Sequence, residues 1–452
     1  MQVIIVGCGK VGQEIVGHIS SEGHNVTVID TNSQVIERIV DKYDVFGISG
    51  NGASYEILEK ANCKNSDLFI AVTSSDEVNI LACVVAKRIG AKSTIARIRN
   101  YGYSKEEVKL KDDFGIDMII NPERECANDI VNILNFPEAI NVDPFAGGKI
   151  DLFEIYLQEN NSIVGQTPAD LRTNLNLDVL VCAVQRGESI FIPTGQFVFK
   201  AKDRIHLASD RENAKLFLNK TGLDEEKIKN VIIIGCGMIS VYLADYLIKN
   251  NCNVKIIEKD INVCEEYSKV LPQADIIYGD GSDQTLLEEE GINNTDAIVC
   301  LTGMDEENII ISMYAGKKNV HKIIAKVDRS SFGDLVETIS GSSIVSPKEI
   351  TSSRIVSYVR ASSNAYGSNI QTLYKLVNNK VEAIEFTAKE NSRTLNVMLK
   401  DLKIKKNILI ASIVRNSKVI IPGGMDEIKA DDSVIVITLN SQRLDDLDDI
   451  LE

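Results

Sequence analysis

The sequence predicts an α/β protein of two tandem repeats, each a doubly wound parallel sheet followed by a small α+β module. Three observations predict it. The stretch VIIVGCGKVG at residues 3–12 returns as VIIIGCGMIS at 231–240. After each, short apolar strands alternate with amphipathic helices, the pattern of a parallel sheet covered on both faces. Later in each repeat the pattern changes to period-2 runs and hairpin turns.

The duplication extends along the whole chain. Shifted by 228 or 229 residues, Gly7-Cys8-Gly9 falls on Gly235-Cys236-Gly237, and Asp30 on Glu258. Gly50-Asn51-Gly52 falls on Gly279-Asp280-Gly281. Thr73, Asp76 and Asn79 fall on Thr302, Asp305 and Asn308, and Arg97 on Lys326. Ile192-Pro193-Thr194-Gly195 falls on Ile421-Pro422-Gly423-Gly424. So many matches in one order mark a repeat.

The elements follow in order. VIIVG, NVTVID, LFIAVT, TIARI and MII read as strands of the first sheet, placing a Rossmann-like domain at 1–120. Asn121-Pro122 offers an N-cap and a first-turn proline, and Ser346-Pro347 repeats it. Ile130, Ile133 and Leu134 form an apolar stripe on that helix, either core or interface. FEIYL alternates with period 2, and VLVCAV and IFIP flank the turn Arg186-Gly187-Glu188-Ser189. These place a small α+β domain at 140–222. A polar linker around Lys220–Asn230 leads to the second Rossmann-like domain at 228–345. The second small domain, at 368–452, repeats the pattern with ILIASIV, the turn Arg415-Asn416-Ser417-Lys418, and VIIP.

Composition bounds the function. A net charge of −16 disfavours nucleic acid and anionic lipid as direct partners. No apolar run reaches the roughly 20 residues of a spanning helix, and strand-like residues begin at once, so neither membrane insertion nor a secretory leader is expected. Nine scattered cysteines without a CxxC, beside four histidines, predict no metal site and no disulfide framework.

The chemistry lies in the glycine turns. Gly7-Cys8-Gly9-Lys10-Val11-Gly12 follows a strand and opens a helix. In such a turn the first glycine makes the bend, the second admits phosphate to the backbone, and the third lets helix and strand pack closely. Backbone N–H groups and the helix dipole then hold an anion. Asp30, ending the second strand, accepts ribose hydroxyls and repels a 2′-phosphate, which favours NAD(H) or an adenine nucleotide and disfavours NADP. Asn51, Gly52 and Ala53 follow the third strand and are expected beside the adenine. Thr73 and Ser74, at the end of the fourth, are expected either in the cleft or as helix caps. Arg97 on the fifth offsets phosphate charge or makes a surface ion pair.

The second site keeps Gly235, Cys236, Gly237, Met238 and Ile239, with Glu258, Asp280, Gly281, Thr302 and Lys326 in the matching places. Ser240 replaces the packing glycine, and Glu258 is one methylene longer than Asp30. The second pocket is expected to differ in shape and affinity, with weaker or different occupancy. No Ser/His/Asp set, HExxH or Walker lysine pattern appears, so no catalytic residue is assigned. The competing reading is an NAD-linked oxidoreductase, for which the small domains offer one histidine, His206.

With VGCGKVG, NVTVID, DLFIAVTSSDEVNILAC, IARIR and the late IPTG and IPGG turns in place, the chain resembles the TrkA family over essentially its whole length. These are cytosolic nucleotide-binding subunits of Trk potassium uptake systems, built of tandem RCK domains. The resemblance implies NAD(H) and ATP or ADP as ligands, and nucleotide-contact roles for Gly7–Val11, Asp30, Thr73, Ser74 and Arg97, then Gly235–Ile239 and Glu258. It implies self-assembly as a dimer or tetramer ring that docks, peripheral on the cytoplasmic side, under an integral-membrane potassium-translocating subunit of the TrkH, TrkG or Ktr type. Ser240 departs from the pattern.

Overall fold

A computed structural model describes residues 1–452 except 101, 104–105, 146–148, 224–226, 330–341, 365–369, 377–379, 417, 440–443 and 445. Residues 224–226 of the expected linker and Ser417 of the second hairpin turn thus lie outside the described residues. The chain divides into two compact units, Met1–Asn128 with Val345–Val359, and Asp129–Ile344 with Arg360–Glu452.

The first unit is built on six strands: β1 (Gln2–Val6), β2 (Asn25–Asp30), β3 (Phe46–Ser49), β4 (Leu68–Ala71), β5 (Ser93–Arg97) and β6 (Met118–Ile120). They pair in parallel in the order β3-β2-β1-β4-β5-β6. Successive side chains of a strand point to opposite faces, and both faces are covered. Val3 and Ile5 pack in one cluster, Ile4 and Val6 in the other. That is why these strands read as unbroken apolar runs. The first cluster also takes in Ile355, Val356 and Val359, from the helix Pro347–Asn364. A helix of the second repeat therefore completes the core of the first sheet. Each such residue, fully buried, stabilises the fold by roughly 1.5–3 kcal/mol.

The second unit holds three sheets. Between the first sheet and the second parallel one run β7 (Ala139–Phe145), β8 (Ile150–Tyr156), β9 (Leu180–Arg186), β10 (Ser189–Phe191) and β11 (Arg204–Ser209), ordered β10-β9-β11-β8-β7 and antiparallel. The second parallel sheet has β12 (Asn230–Ile234), β13 (Asn253–Glu258), β14 (Asp275–Tyr278), β15 (Ala297–Cys300), β16 (Lys322–Lys326) and β17 (Ser342–Val345), ordered β14-β13-β12-β15-β16-β17. The last sheet has β18 (Ile370–Leu376), β19 (Val381–Thr387), β20 (Ile408–Arg415), β21 (Lys418–Ile420) and β22 (Ser433–Leu439), in the same topology as the first antiparallel sheet. The two antiparallel sheets share one apolar cluster, in which Leu152, Cys182 and Ala208 meet Ala383, Ala411 and Ile437.

The period-2 reading of FEIYL holds: Phe153, Ile155 and Leu157 are buried, Glu154 is half-buried and Tyr156 is exposed. Just before it, Ile150 and Leu152 are buried in the cluster that the two antiparallel sheets share, so β8 has apolar partners on both faces. Capping departs from the sequence reading. Asn121 caps its helix by accepting from Arg124 N at 2.9 Å, whereas the Ser346 hydroxyl is buried with no hydrogen-bond partner. The stripe Ile130, Ile133 and Leu134 is buried within this chain. Among the described residues, no helix is long and apolar enough to cross a membrane.

Candidate functional site

In each parallel sheet the strand order reverses between the first and fourth strands, β1 and β4 or β12 and β15. Ligands of such sheets bind in the crevice that this reversal opens at the carboxyl ends of the strands. Both glycine turns lie there.

Steric constraints fix the first turn. Gly7 has φ +95°, and a Cβ on it would come within 2.7 Å of Thr73 N, so the turn lies directly against the exit of β4. A Cβ on Gly12 would meet the Gly7 carbonyl oxygen at 2.0 Å. A Cβ on Gly9 would meet nothing within 4 Å, so this glycine faces open space. The helix Lys10–Ser21 starts from Gly9 with no side-chain cap and no acid in its first turn. Its first N–H groups and its dipole therefore favour an anion. Lys10 and Ser74 are exposed, while the half-buried Val11 side chain packs on the core.

Asp30 is docked on the turn. Its Oδ2 accepts from Cys8 N at 2.7 Å and its Oδ1 from Asn32 N at 2.9 Å, and each oxygen keeps a lone pair for a ligand hydroxyl. Burial and the Asp30 carboxylate push the Cys8 thiol up to about 12, so the turn carries no thiolate to repel phosphate. Gly50 N donates to Asp30 O at 2.9 Å, and a Cβ on Gly52 would lie 2.0 Å from a Val6 methyl, which brings this loop against β1. Asn51 Oδ1 accepts from Ala53 N at 3.0 Å and shapes the loop.

Thr73 and Arg97 are joined by a residue that sequence reasoning noted only as a repeat marker. Asn79 is fully buried. Its Oδ1 accepts from Thr73 N at 2.8 Å and from Thr73 Oγ1 at 2.7 Å. Its Nδ2 donates to Thr73 O at 3.2 Å and to Arg97 O at 2.8 Å. β4 ends at Ala71, so Thr73 and Ser74 lie beyond the strand instead of ending it, and the helix cap is Ser75, which accepts from Val78 N. Neither residue is the cap. Arg97 makes the ion pair of its alternative reading, but largely buried and not on the surface. Its Nη1 donates to Thr73 O at 3.2 Å, its Nη2 lies 3.9 Å from Glu123 Oε1, and its Nε is buried with no partner. Burial pulls this guanidinium below its ordinary pKa. Asp76 fastens the segment after β5 by accepting from Arg99 N and Asn100 N at 2.9 and 2.8 Å.

Asn79→Ala strips four hydrogen bonds from buried or half-buried groups. At about 1–3 kcal/mol for each group left unsatisfied, a loss of roughly 3 kcal/mol or more is expected in urea denaturation. Near wild-type stability would contradict the assignment.

The second site repeats this frame. Glu258 Oε2 accepts from Cys236 N at 2.7 Å and Oε1 from Asp260 N at 2.9 Å, so the longer side chain reaches the same two backbone positions. The Cys236 thiol is pushed up to about 12 by burial, with Glu258 adding to it. Asn308 binds Thr302 N, Oγ1 and O and the Lys326 carbonyl as Asn79 binds their counterparts. Asp280 Oδ1 accepts from Ser282 N and Oγ, and a Cβ on Gly281 would lie 2.3 Å from an Ile234 methyl. Two features differ. Ser240 is accommodated, with its hydroxyl donating to Gly235 O at 2.6 Å. Met238 stands where the first turn has Lys10, and Tyr267 Oη donates to its sulfur at 3.5 Å. The helix Met238–Lys249 again lacks a side-chain cap.

The TrkA-N domain model matches residues 3–122 and 231–347, and the TrkA-C domain model matches 152–222 and 383–451. The Trk system potassium uptake protein TrkA homolog 1 of Methanosarcina mazei is 34% identical over 449 residues, covering 98% of each chain. TrkA of Haemophilus influenzae is 28% identical over 459 residues, covering 100% of this chain and 99% of the relative. Among solved structures, the GsuK channel bound to NAD aligns with a TM-score of 0.64 at 14% identity, over 97% of this chain and 77% of that one. The GsuK RCK domain aligns with a TM-score of 0.62 at 15% identity, over 97% and 92%.

Proposed function

Since the chain belongs to the TrkA family of Trk system potassium uptake proteins, we propose that it is a nucleotide-sensing regulatory subunit of potassium transport. One observation carries this reading. The turn, the docked carboxylate and the buried asparagine recur together in both sheets. The first cleft takes NAD(H), ATP or ADP through Gly7–Gly12, Asp30, the loop Asn51–Ala53, Thr73, Ser74 and Arg97. The carboxylate disfavours the extra phosphate of NADP. The second cleft, through Gly235–Ile239, Glu258, Asp280, Gly281, Thr302 and Lys326, binds more weakly or binds a different nucleotide.

The subunit works on a partner. It assembles with itself into a gating ring and sits at the cytoplasmic face of an integral-membrane potassium-translocating subunit. Ligands that differ in affinity for two ring shapes shift the balance between them. A coupling of about 1–3 kcal/mol per site corresponds to roughly 5- to 150-fold in the balance between the two ring shapes. The oxidoreductase reading finds no support at His206, whose side chain is buried on a central strand of the first antiparallel sheet.

The test is flux. With the membrane partner reconstituted in vesicles, potassium flux should change severalfold between ATP, ADP and NADH, and Asp30→Ala should lose most of that response. A flux indifferent to all three would reject the proposal.

A further inference from the structure

The first two residues of β7 are hydrogen-bonded to the second parallel sheet, and Glu138, just before them, lies beside it. The Glu138 carboxylate lies 3.4 Å from His321 Nε2. Lys322 Nζ donates to Ala139 O at 2.6 Å. Ser343 Oγ donates to Ile140 O at 2.6 Å. His321 and Lys322 lie at the start of β16, and Ser343 lies on β17, so the first antiparallel sheet is stitched to two neighbouring strands of the parallel one.

The central stitch is unusual. Lys322 is only 1% exposed, yet its hydrogen bond goes to a neutral carbonyl. A buried lysine is rare unless paired. The carboxylates that act on it, Glu138 and Glu154, do so through space. Glu154, on β8, accepts from Arg204 Nη1 at 3.2 Å and lies opposite His206 in the β8–β11 pairing. His206 is 3% exposed, and its Nε2 is buried with no hydrogen-bond partner. One carboxylate thus faces both a buried amine and a buried imidazole. The first repeat has Ser93 where the second has Lys322, so the arrangement is not an inherited part of the repeated fold.

We propose that this seam is a proton-operated latch, closed when Lys322 and His206 are neutral and loosened when acidification charges them. Burial pulls Lys322 down to about 7, against the opposing pull of Glu138 and Glu154. Burial also lowers His206, with Glu154 opposing and Arg204 adding to the fall. When the seam opens, Lys322 regains the ordinary lysine value near 10.5. Between about 7 and 10.5 the open seam therefore binds more protons than the closed one. Closure strengthens as pH rises through that window and weakens as pH falls. Once Lys322 is charged in both states, below about 7, its effect levels off. His206 then continues the weakening below its ordinary value of 6.5. Both groups act in the same direction. Cellular pH becomes a second input, and the latch does not depend on the nucleotide reading.

Hydrogen–deuterium exchange on the full-length protein tests it. Amides of residues 138–143 and 342–345 are followed from pH 7 to 9 and corrected for intrinsic exchange. The opening fraction should rise by up to about tenfold for each unit that pH falls, the limit for one linked proton. Lys322→Met should flatten that slope. Glu138→Gln, at a partly exposed position, should keep the slope but move it to lower pH, because the ammonium loses its main support. A wild-type opening that ignores pH overturns the proposal. So does a wild-type slope in Lys322→Met or, should that variant fail to fold, an unmoved curve in Glu138→Gln.

Discussion

Alanine at Gly7 is expected to be among the most damaging single-methyl additions in this protein. Its φ of +95° is a conformation that L-residues rarely adopt, and holding one there costs about 1–3 kcal/mol. The added Cβ would also lie 2.7, 2.8 and 2.9 Å from backbone atoms of Thr73 and Val72, which cannot rotate away as a side chain can. Overpacking of that kind adds about 1–3 kcal/mol. Together these approach the lower end of a domain's net stability of about 5–15 kcal/mol. Gly235→Ala carries the same backbone strain, at φ +93°, but its Cβ would stand 3.1 Å or more from its neighbours. Denaturant titration should therefore find Gly7→Ala clearly less stable than Gly235→Ala, and both less stable than wild type. Equal midpoints for all three would show that the turn is not built as described.

Removing the Asp30 carboxylate should have the largest effect on ligand. It holds two backbone N–H groups and is the acceptor assigned to the ribose. Hydrogen bonds to a charged group contribute about 1.5–3 kcal/mol each. Loss of one to the ribose thus weakens nucleotide binding by roughly 10- to 150-fold. Asp30→Asn separates recognition from scaffolding. It keeps one carbonyl acceptor but loses the charge, so the preference for NADH over NADPH should shrink even where the fold survives. Glu258→Ala should leave the first site's affinity unchanged. Wild-type affinity and selectivity in both Asp30 variants would remove the carboxylate from the site.

The repeat, the strand–helix alternation and the glycine turns were legible in the sequence because their causes are local. Glycine is the residue that a positive φ of +93° to +95° favours most, and a strand buried on both faces reads as a continuous apolar run. Glu258 was legible for the same reason, since it ends the second strand just as Asp30 does. What the sequence did not disclose depends on partners distant in the chain. Asn79 looks like one polar residue on a helix until Thr73 and the Arg97 carbonyl fold onto it. Ser346-Pro347 marks where a helix starts but not which sheet that helix covers, and Ile355, Val356 and Val359 pack on the first. Lys322 at the start of a strand reads as a solvated charge. Only the arrival of Ala139 and Glu138 turns it into a buried one.

The central claim is that the turn–carboxylate frame binds nucleotide. Isothermal titration calorimetry of the full-length protein with ADP tests it most directly, repeated with ATP and NADH and with the Asp30→Ala variant. The account predicts saturable heat with one or two sites per chain, with the tighter site lost in Asp30→Ala. No binding heat from any of the three at millimolar concentration would contradict it and leave both glycine turns as structural elements alone.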